Sequence, residues 1–139
     1  MFNDKKQSAD LVTGLKQQEK REPIASFLKM KLLELIPGYA RVSLKITSDH
    51  LNFNGMVFGG IIMALADQAF AYATNSLVAL SIATQFNIHL ISGPAVGDEL
   101  TAECRVIKSG RRIGVSEITI TDQKDKLIAK ATGTTVVTG

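Results

Sequence analysis

Asp67 lies within LNFNGMVFGGIIMALADQAFAYATN, residues 51–75, and is the only charged side chain between Asn52 and Gly97. Desolvating an isolated carboxylate is costly and lifts its pKa toward the range in which it works as a base or nucleophile. Asp67 is therefore the first candidate for chemistry. The alternative is an acid at the edge of the apolar stripe, solvated or bonded to a backbone amide. Gly59 and Gly60 open the same run. Glycine at a helix start lets a ligand reach backbone N–H groups that lack an intrahelical partner and face the positive end of the helix dipole, so an oxyanion can bind there. The competing use of the pair is close helix–sheet packing. Gly59 and Asp67 are eight residues apart, about 12 Å along a helix axis and too far to act on one carbon. If the two cooperate, the amide of one chain must meet the carboxylate of another, which predicts a two-fold dimer with two equivalent sites.

The elements that must position these groups follow from periodicity. Val42, Leu44 and Ile46 alternate with Arg41, Ser43, Lys45 and Thr47, the pattern of a strand with one solvated face. Residues 82–91, 100–107, 113–121 and 127–137 read as four further strands, separated by Ser92-Gly93-Pro94, by Lys108-Ser109-Gly110 and by Asp122 to Lys126. Short connections imply antiparallel neighbours. Five strands and one long apolar helix satisfy each other if the sheet curls around the helix, an α+β domain. Upstream, Phe27, Leu28, Leu32 and Leu35 have helical spacing and predict a packing helix over 24–36, stopped by Pro37-Gly38. Ser8 can cap a short helix carrying Leu11, Val12 and Leu15, to which no chemistry is assigned. The expected organisation is a helical extension over 1–22 and one domain over 23–139.

Composition narrows the function classes. The chain has 139 residues, 45% hydrophobic and 21% charged, which suits one domain with a real core. The single cysteine, Cys104, excludes an internal disulfide and a multi-cysteine zinc site, reads as a core residue and favours a cytoplasmic setting. Met56 to Ala66 is too short for a membrane span, and Met1 to Glu22 lacks the apolar core of a signal peptide. The net charge is +3, with five basic and four acidic residues in the first 22, so no nucleic-acid partner is expected. His50 and His89 lack metal-ligand spacing, and no metal is expected.

The run Asn52-x5-Phe58-Gly59-Gly60-x6-Asp67 resembles the N-x5-H-G-G-x6-D motif of hotdog-fold acyl-CoA thioesterases of the phenylacetate-degradation type, within the four-hydroxybenzoyl-CoA thioesterase superfamily. The likeness continues through Ala66 to Ala73, through Asn87-Ile88-His89-Leu90 with Pro94, and through Gly97-Asp98-Glu99-Leu100. It implies a curved antiparallel sheet of five or six strands wrapped around one long central helix, with short N-terminal helices. It also implies a homodimer, paired further into a homotetramer, and a thioester hydrolase with no separate cofactor, coenzyme A being part of the substrate.

Carried over position by position, Asp67 would attack the thioester carbon or activate water toward it, and the Gly59 N–H would polarise the carbonyl. Asn52 would help hold the carbonyl or the water, and Thr84 would orient the water, each with a structural alternative as loop cap or ordinary strand residue. Phe58 stands where the family has histidine, so an apolar ring replaces a polar group beside Gly60 at the substrate's edge of the site. Lys108, Arg111 and Arg112 around the Ser109-Gly110 turn are candidates for the phosphates of CoA, with Lys124 and Lys126 behind them. The resulting expectation is a cytoplasmic hydrolase of medium-chain or aryl acyl-CoA. The alternative is a non-catalytic acyl-CoA binding or sensing protein, favoured by Phe58. A hotdog dehydratase would need a histidine paired with the acid, which the motif lacks.

Overall fold

The computed structural model describes residues 4–138, the side chain of Asp4 excepted. Along the chain come α1 (Asp4–Glu19), α2 (Pro23–Leu28), β1 (Lys31–Ile36), β2 (Tyr39–Lys45), a short 3-10 turn (Ser48–His50), α3 (Gly59–Asn75), β3 (Ser81–Leu90), β4 (Glu99–Ser109), β5 (Ile113–Thr121) and β6 (Leu127–Val137). The six strands form one antiparallel sheet in the order β1-β2-β4-β5-β6-β3. α3 lies against it and touches all six strands. This is the hotdog arrangement.

The sheet can curl because its register is interrupted in four ladders: between Leu32 and Glu34, Ala83 and Gln85, Val106 and Lys108, and Ile120 and Thr121. Each irregularity bends its strand and adds local twist. The concave face then receives Ile61, Ile62, Leu65, Ala66, Ala69, Phe70 and Ala73 of α3, which join Val42, Leu44, Leu100, Ile118 and Ile128 of the strands in one core. Cys104 belongs to that core, and burial pushes its thiol up to about 12, which rules it out as a nucleophile at neutral pH.

The expected helix over 24–36 is instead a helix of six residues followed by a strand. Lys29 takes a left-handed conformation with φ 57° and ends α2, its N–H donating to Ala25 and Ser26 carbonyls. The irregularity between Leu32 and Glu34 inserts one residue into β1, so Leu32 and Leu35, three apart, face the same side. A bulged strand thus imitates helical spacing. The expected capping role of Ser8 also fails, because α1 starts at Asp4 and Ser8 is a buried residue inside it.

β3 and β4, though joined by a short connection, are not neighbours. β3 pairs with β6, from Ser81 opposite Val137 to Leu90 opposite Ala129. The connection crosses the sheet end: the N–H groups of Ile91 and Ser92 both donate to the Ile128 carbonyl at 2.8 and 3.1 Å. The Asp98 carboxylate then accepts the Ala95 N–H at 2.8 Å and Gln123 Nε2 at 2.9 Å. β3 is therefore an edge strand, with Ile82 and Leu90 exposed.

Phe70 packs closely on Gly133 of β6, where a Cβ would lie 2.6 Å from Phe70 Cζ. The same ring meets Phe86 of β3 with centroids 5.9 Å apart. Gly133→Ala must displace a buried aromatic ring and should destabilise the fold by about 1–3 kcal/mol. Chemical denaturation measures this, and an unaltered midpoint would show that the Phe70 ring is not held against β6.

Candidate active site

α3 is covered on most sides but not all. Met63, Asp67 and Ala71, spaced four apart, form an exposed line along the helix. β3 runs beside that line in the opposite direction. Its start is tied to the end of α3, since Asn75 Oδ1 accepts the Ser81 N–H at 2.9 Å and Asn75 Nδ2 donates to the Ser81 carbonyl at 3.1 Å. Its far end reaches the helix start, where a Cβ on Gly59 would lie 2.9 Å from Leu90 Cδ1. Asp67 sits midway along this flank.

The structure thus corrects the expectation of a buried acid: Asp67 is at the edge of the apolar stripe, exposed in the single chain. It still loses part of its hydration to the surrounding protein, which raises its pKa above the ordinary 3.8. Among the described residues no group donates a hydrogen bond to it, and desolvation is the one cause of the shift. Such a carboxylate is a stronger base than a solvated one and keeps its oxygens free.

The start of α3 is presented by a tight loop. Asn52 Oδ1 accepts the N–H groups of Asn54 and Met56 at 2.9 and 3.1 Å. The Asn52 N–H donates to the Met56 carbonyl at 2.7 Å. Gly55 closes the loop at φ 72°, a conformation that suits glycine. The Phe58 N–H returns to the His50 carbonyl at 2.8 Å, and His50 is itself fixed through Nδ1, which accepts the Thr47 N–H at 3.0 Å. Because Oδ1 of Asn52 is committed to the loop, its amide NH2 is the end left to donate. The loop-capping role of Asn52 is therefore real and leaves a donor over.

Gly59 and Gly60 occupy the first turn of α3, whose N–H groups have no intrahelical carbonyl to reach. Phe58 precedes them as N-cap residue without a side-chain capping bond. Its half-exposed ring folds back over Gly60 so closely that a Cβ there would collide with it. The Phe58 ring thus favours glycine at 60, whereas at 59 a side chain would meet only the movable end of the exposed Leu90.

Thr84 stands at the irregularity between Ala83 and Gln85 in mid-β3, and its Oγ1 donates to the Thr134 carbonyl at 3.4 Å. Lys108, Arg111 and Arg112 are exposed at the β4–β5 turn. That turn meets Val78 and Ser81 just beyond the C-terminal end of α3, far from Gly59 on the same chain. On one chain the basic turn therefore lies beyond the C-terminal end of α3, the loop of Asn52, Phe58, Gly59 and Gly60 lies at its start, and Asp67 stands between them with β3 alongside.

Two features escape a reading of the sequence. Glu22 reaches across to α3, accepting hydrogen bonds from Gln68 Nε2 at 2.5 Å and from the Tyr72 hydroxyl at 2.8 Å. Burial and this carboxylate raise the Tyr72 phenol pKa. Gln68 and Tyr72, polar and four apart on an apolar helix, were the available signal. Lys29, Lys31, Lys45 and His50 also gather around a cavity of about 650 Å³ on the Gly59 side of the sheet. They come from the end of α2, β1, β2 and the 3-10 turn, so no local pattern announces them.

Comparison with known proteins agrees with this geometry. The profile of the thioesterase superfamily matches residues 54–129. The acyl-coenzyme A thioesterase PaaI of Escherichia coli is 34% identical over 105 residues, covering 76% of this chain and 75% of the relative. The solved E. coli PaaI protein from the phenylacetic acid degradation operon superposes with a TM-score of 0.88 at 28% identity, covering 98% of this chain and 96% of that one. A hypothetical thioesterase from Streptococcus pneumoniae, solved with coenzyme A, gives 0.81 at 27% identity over 88% and 96% of the two chains. With the hotdog sheet and the glycine–aspartate helix at its centre, the chain belongs to the thioesterase superfamily and is a thioester-hydrolysing enzyme.

Proposed function

We propose that this enzyme is a cytoplasmic acyl-CoA thioesterase that releases free CoA and a medium-chain or aryl carboxylic acid, without a metal, in a site completed by a second copy of the chain. The observation that carries the reading is the open flank: a partly desolvated Asp67 on the uncovered line of α3, beside the unpaired edge of β3. Exposed apolar residues along a free strand edge suit pairing with another chain. A two-fold partner would bring its Gly59 loop to this Asp67, which one chain cannot do across about 12 Å of helix. The relatives named above are an acyl-CoA thioesterase and a protein solved with coenzyme A, which supports acyl-CoA as the substrate class.

In this site Asp67 takes a proton from water as its oxygen bonds to the thioester carbon, or attacks that carbon directly. The carbonyl electron pair moves to oxygen, where the Gly59 N–H and the Asn52 amide of the second copy hold the charge. Collapse breaks the C–S bond and the sulfur leaves as thiolate. Where water is the nucleophile, the proton held by Asp67 passes to the sulfur and the acid is released as CoA forms. Where Asp67 attacks, water then hydrolyses the acyl–Asp67 anhydride, which yields the acid, restores the carboxylate and supplies the proton of CoA. Thr84 positions the water from the irregular middle of β3. Phe58 and Gly60 shape the entrance, and Lys108, Arg111 and Arg112 meet the phosphates. The two-fold pair associates further into a tetramer. The ring of Phe58 at the mouth of the site bears on rate and acyl preference, which thiol release across an acyl-CoA panel measures.

Asp67→Asn should lower turnover at least about a hundredfold while acyl-CoA binding persists. Because the Asp67 pKa is raised, its basic form fills only as pH climbs through that raised value. The acid limb of kcat/KM should therefore have its midpoint above 3.8, and it should vanish in whatever activity Asp67→Asn retains. Near-normal turnover in the variant would remove Asp67 from the mechanism.

Mixing Asp67→Asn chains with Asn52→Ala chains should restore part of the activity, since one of the two interfacial sites then collects both intact groups. Light scattering that finds an active monomer would end the shared-site reading.

A further inference from the structure

α1 contacts β1 and inserts Val12 into the core, yet beside α3 it leaves an open space. A cavity of about 570 Å³ lies there, with Leu11, Gly14 and Leu15 of α1 on one side and Ala71 and Tyr72 of α3 on the other. That volume is in the range of small-molecule sites. Ala71 is one helical turn beyond Asp67 on the same exposed line, so the cavity begins about 6 Å from the carboxylate. It runs away from the Gly59 end, toward Asn75 and Leu80.

Charge decides which end of a thioester this space can take. Its charged lining residues are Asp10 and Glu22, both acidic. Phosphates of CoA are repelled there, whereas an uncharged acyl chain meets leucine, alanine and the Tyr72 ring. The wall is also held in place. The hydrogen bonds from Gln68 and Tyr72 to Glu22 tie the segment between α1 and α2 onto α3. Gly14 faces the opening with nothing within 4 Å of where its Cβ would be, so neither packing nor backbone conformation there demands glycine. Glycine inside a helix is destabilising by about 0.5–1 kcal/mol relative to alanine, and what it provides here is room.

We propose that α1 is one wall of the acyl site, and that Gly14 and Ala71, which line the cavity from α1 and α3, set the length of an unbranched aliphatic acyl chain. The inference rests on the acyl-CoA reading given above. It assigns the N-terminal helix a part in substrate selection.

The test uses alkyl-CoA thioethers, which cannot be hydrolysed, so it reads binding independently of turnover. Affinities of butyl-CoA and decyl-CoA thioethers are measured by calorimetry for the native protein, Gly14→Leu and Ala71→Leu. The native protein should favour decyl-CoA, and each substitution should cut the decyl-over-butyl preference about tenfold, equivalent to excluding about two methylenes. Gly14→Leu improves helix propensity, which guards against a variant that merely unfolds. A preference unchanged in both variants overturns the acyl wall while leaving the hydrolase reading intact. Native protein that binds decyl-CoA with this length dependence but releases no thiol from decanoyl-CoA upholds the wall and defeats the hydrolase reading. Absence of thioether binding to the native protein overturns the wall.

Discussion

A helix that is apolar around most of its circumference must be covered on most sides, and that requirement shapes the molecule. Burying side chains such as Leu65 and Phe70, each fully enclosed, contributes about 1.5–3 kcal/mol apiece. A flat sheet would cover one side of α3 only. The register irregularities let six strands bend far enough to enclose it, and glycine at 133 lets the Phe70 ring lie directly on β6. What the sheet does not reach is the line of Met63, Asp67 and Ala71. The place where coverage fails is where the one charged residue of the helix stands, so the packing problem and the chemistry have a common geometry.

Much of this was legible because local physics and tertiary environment agree. β5 alternates cleanly, β2 does so until the buried Ser43 and β6 does so beyond Ile128, and the apolar run opened by Gly59-Gly60 forms one helix of 17 residues. β1 misled for a definable reason: a strand with one inserted residue presents Leu32 and Leu35 at the spacing a helix would use. The position of β3 misled for another. Strand order depends on which edges are free when the sheet closes, and eight residues of connection can cross a sheet end as readily as turn back along it.

At the site, residue types were readable and their surroundings were not. Nothing in the run around Asp67 distinguishes a buried acid from one at the edge, because that depends on how far the sheet wraps. Asn52 was recognisable as a polar loop residue, but that its oxygen is consumed by Asn54 and Met56, leaving only its NH2 end, depends on how the loop closes in three dimensions. The link from Glu22 to Gln68 and Tyr72 spans 46 and 50 residues of sequence, beyond the reach of any local pattern.

The insertion of β6 between β5 and β3 has a consequence for how the molecule comes into being. During synthesis β3 emerges well before its one bonded neighbour, and β4 and β5 can pair with each other and with β2 while β3 waits. The exposed Ile82 and Leu90 and an unsatisfied backbone edge must persist until the last strand arrives. Such late, long-range pairing makes folding slow and leaves the intermediate prone to aggregate. A ribosome-bound or truncated chain that stops short of residue 127 therefore holds an almost complete sheet with its most adhesive strand unpaired.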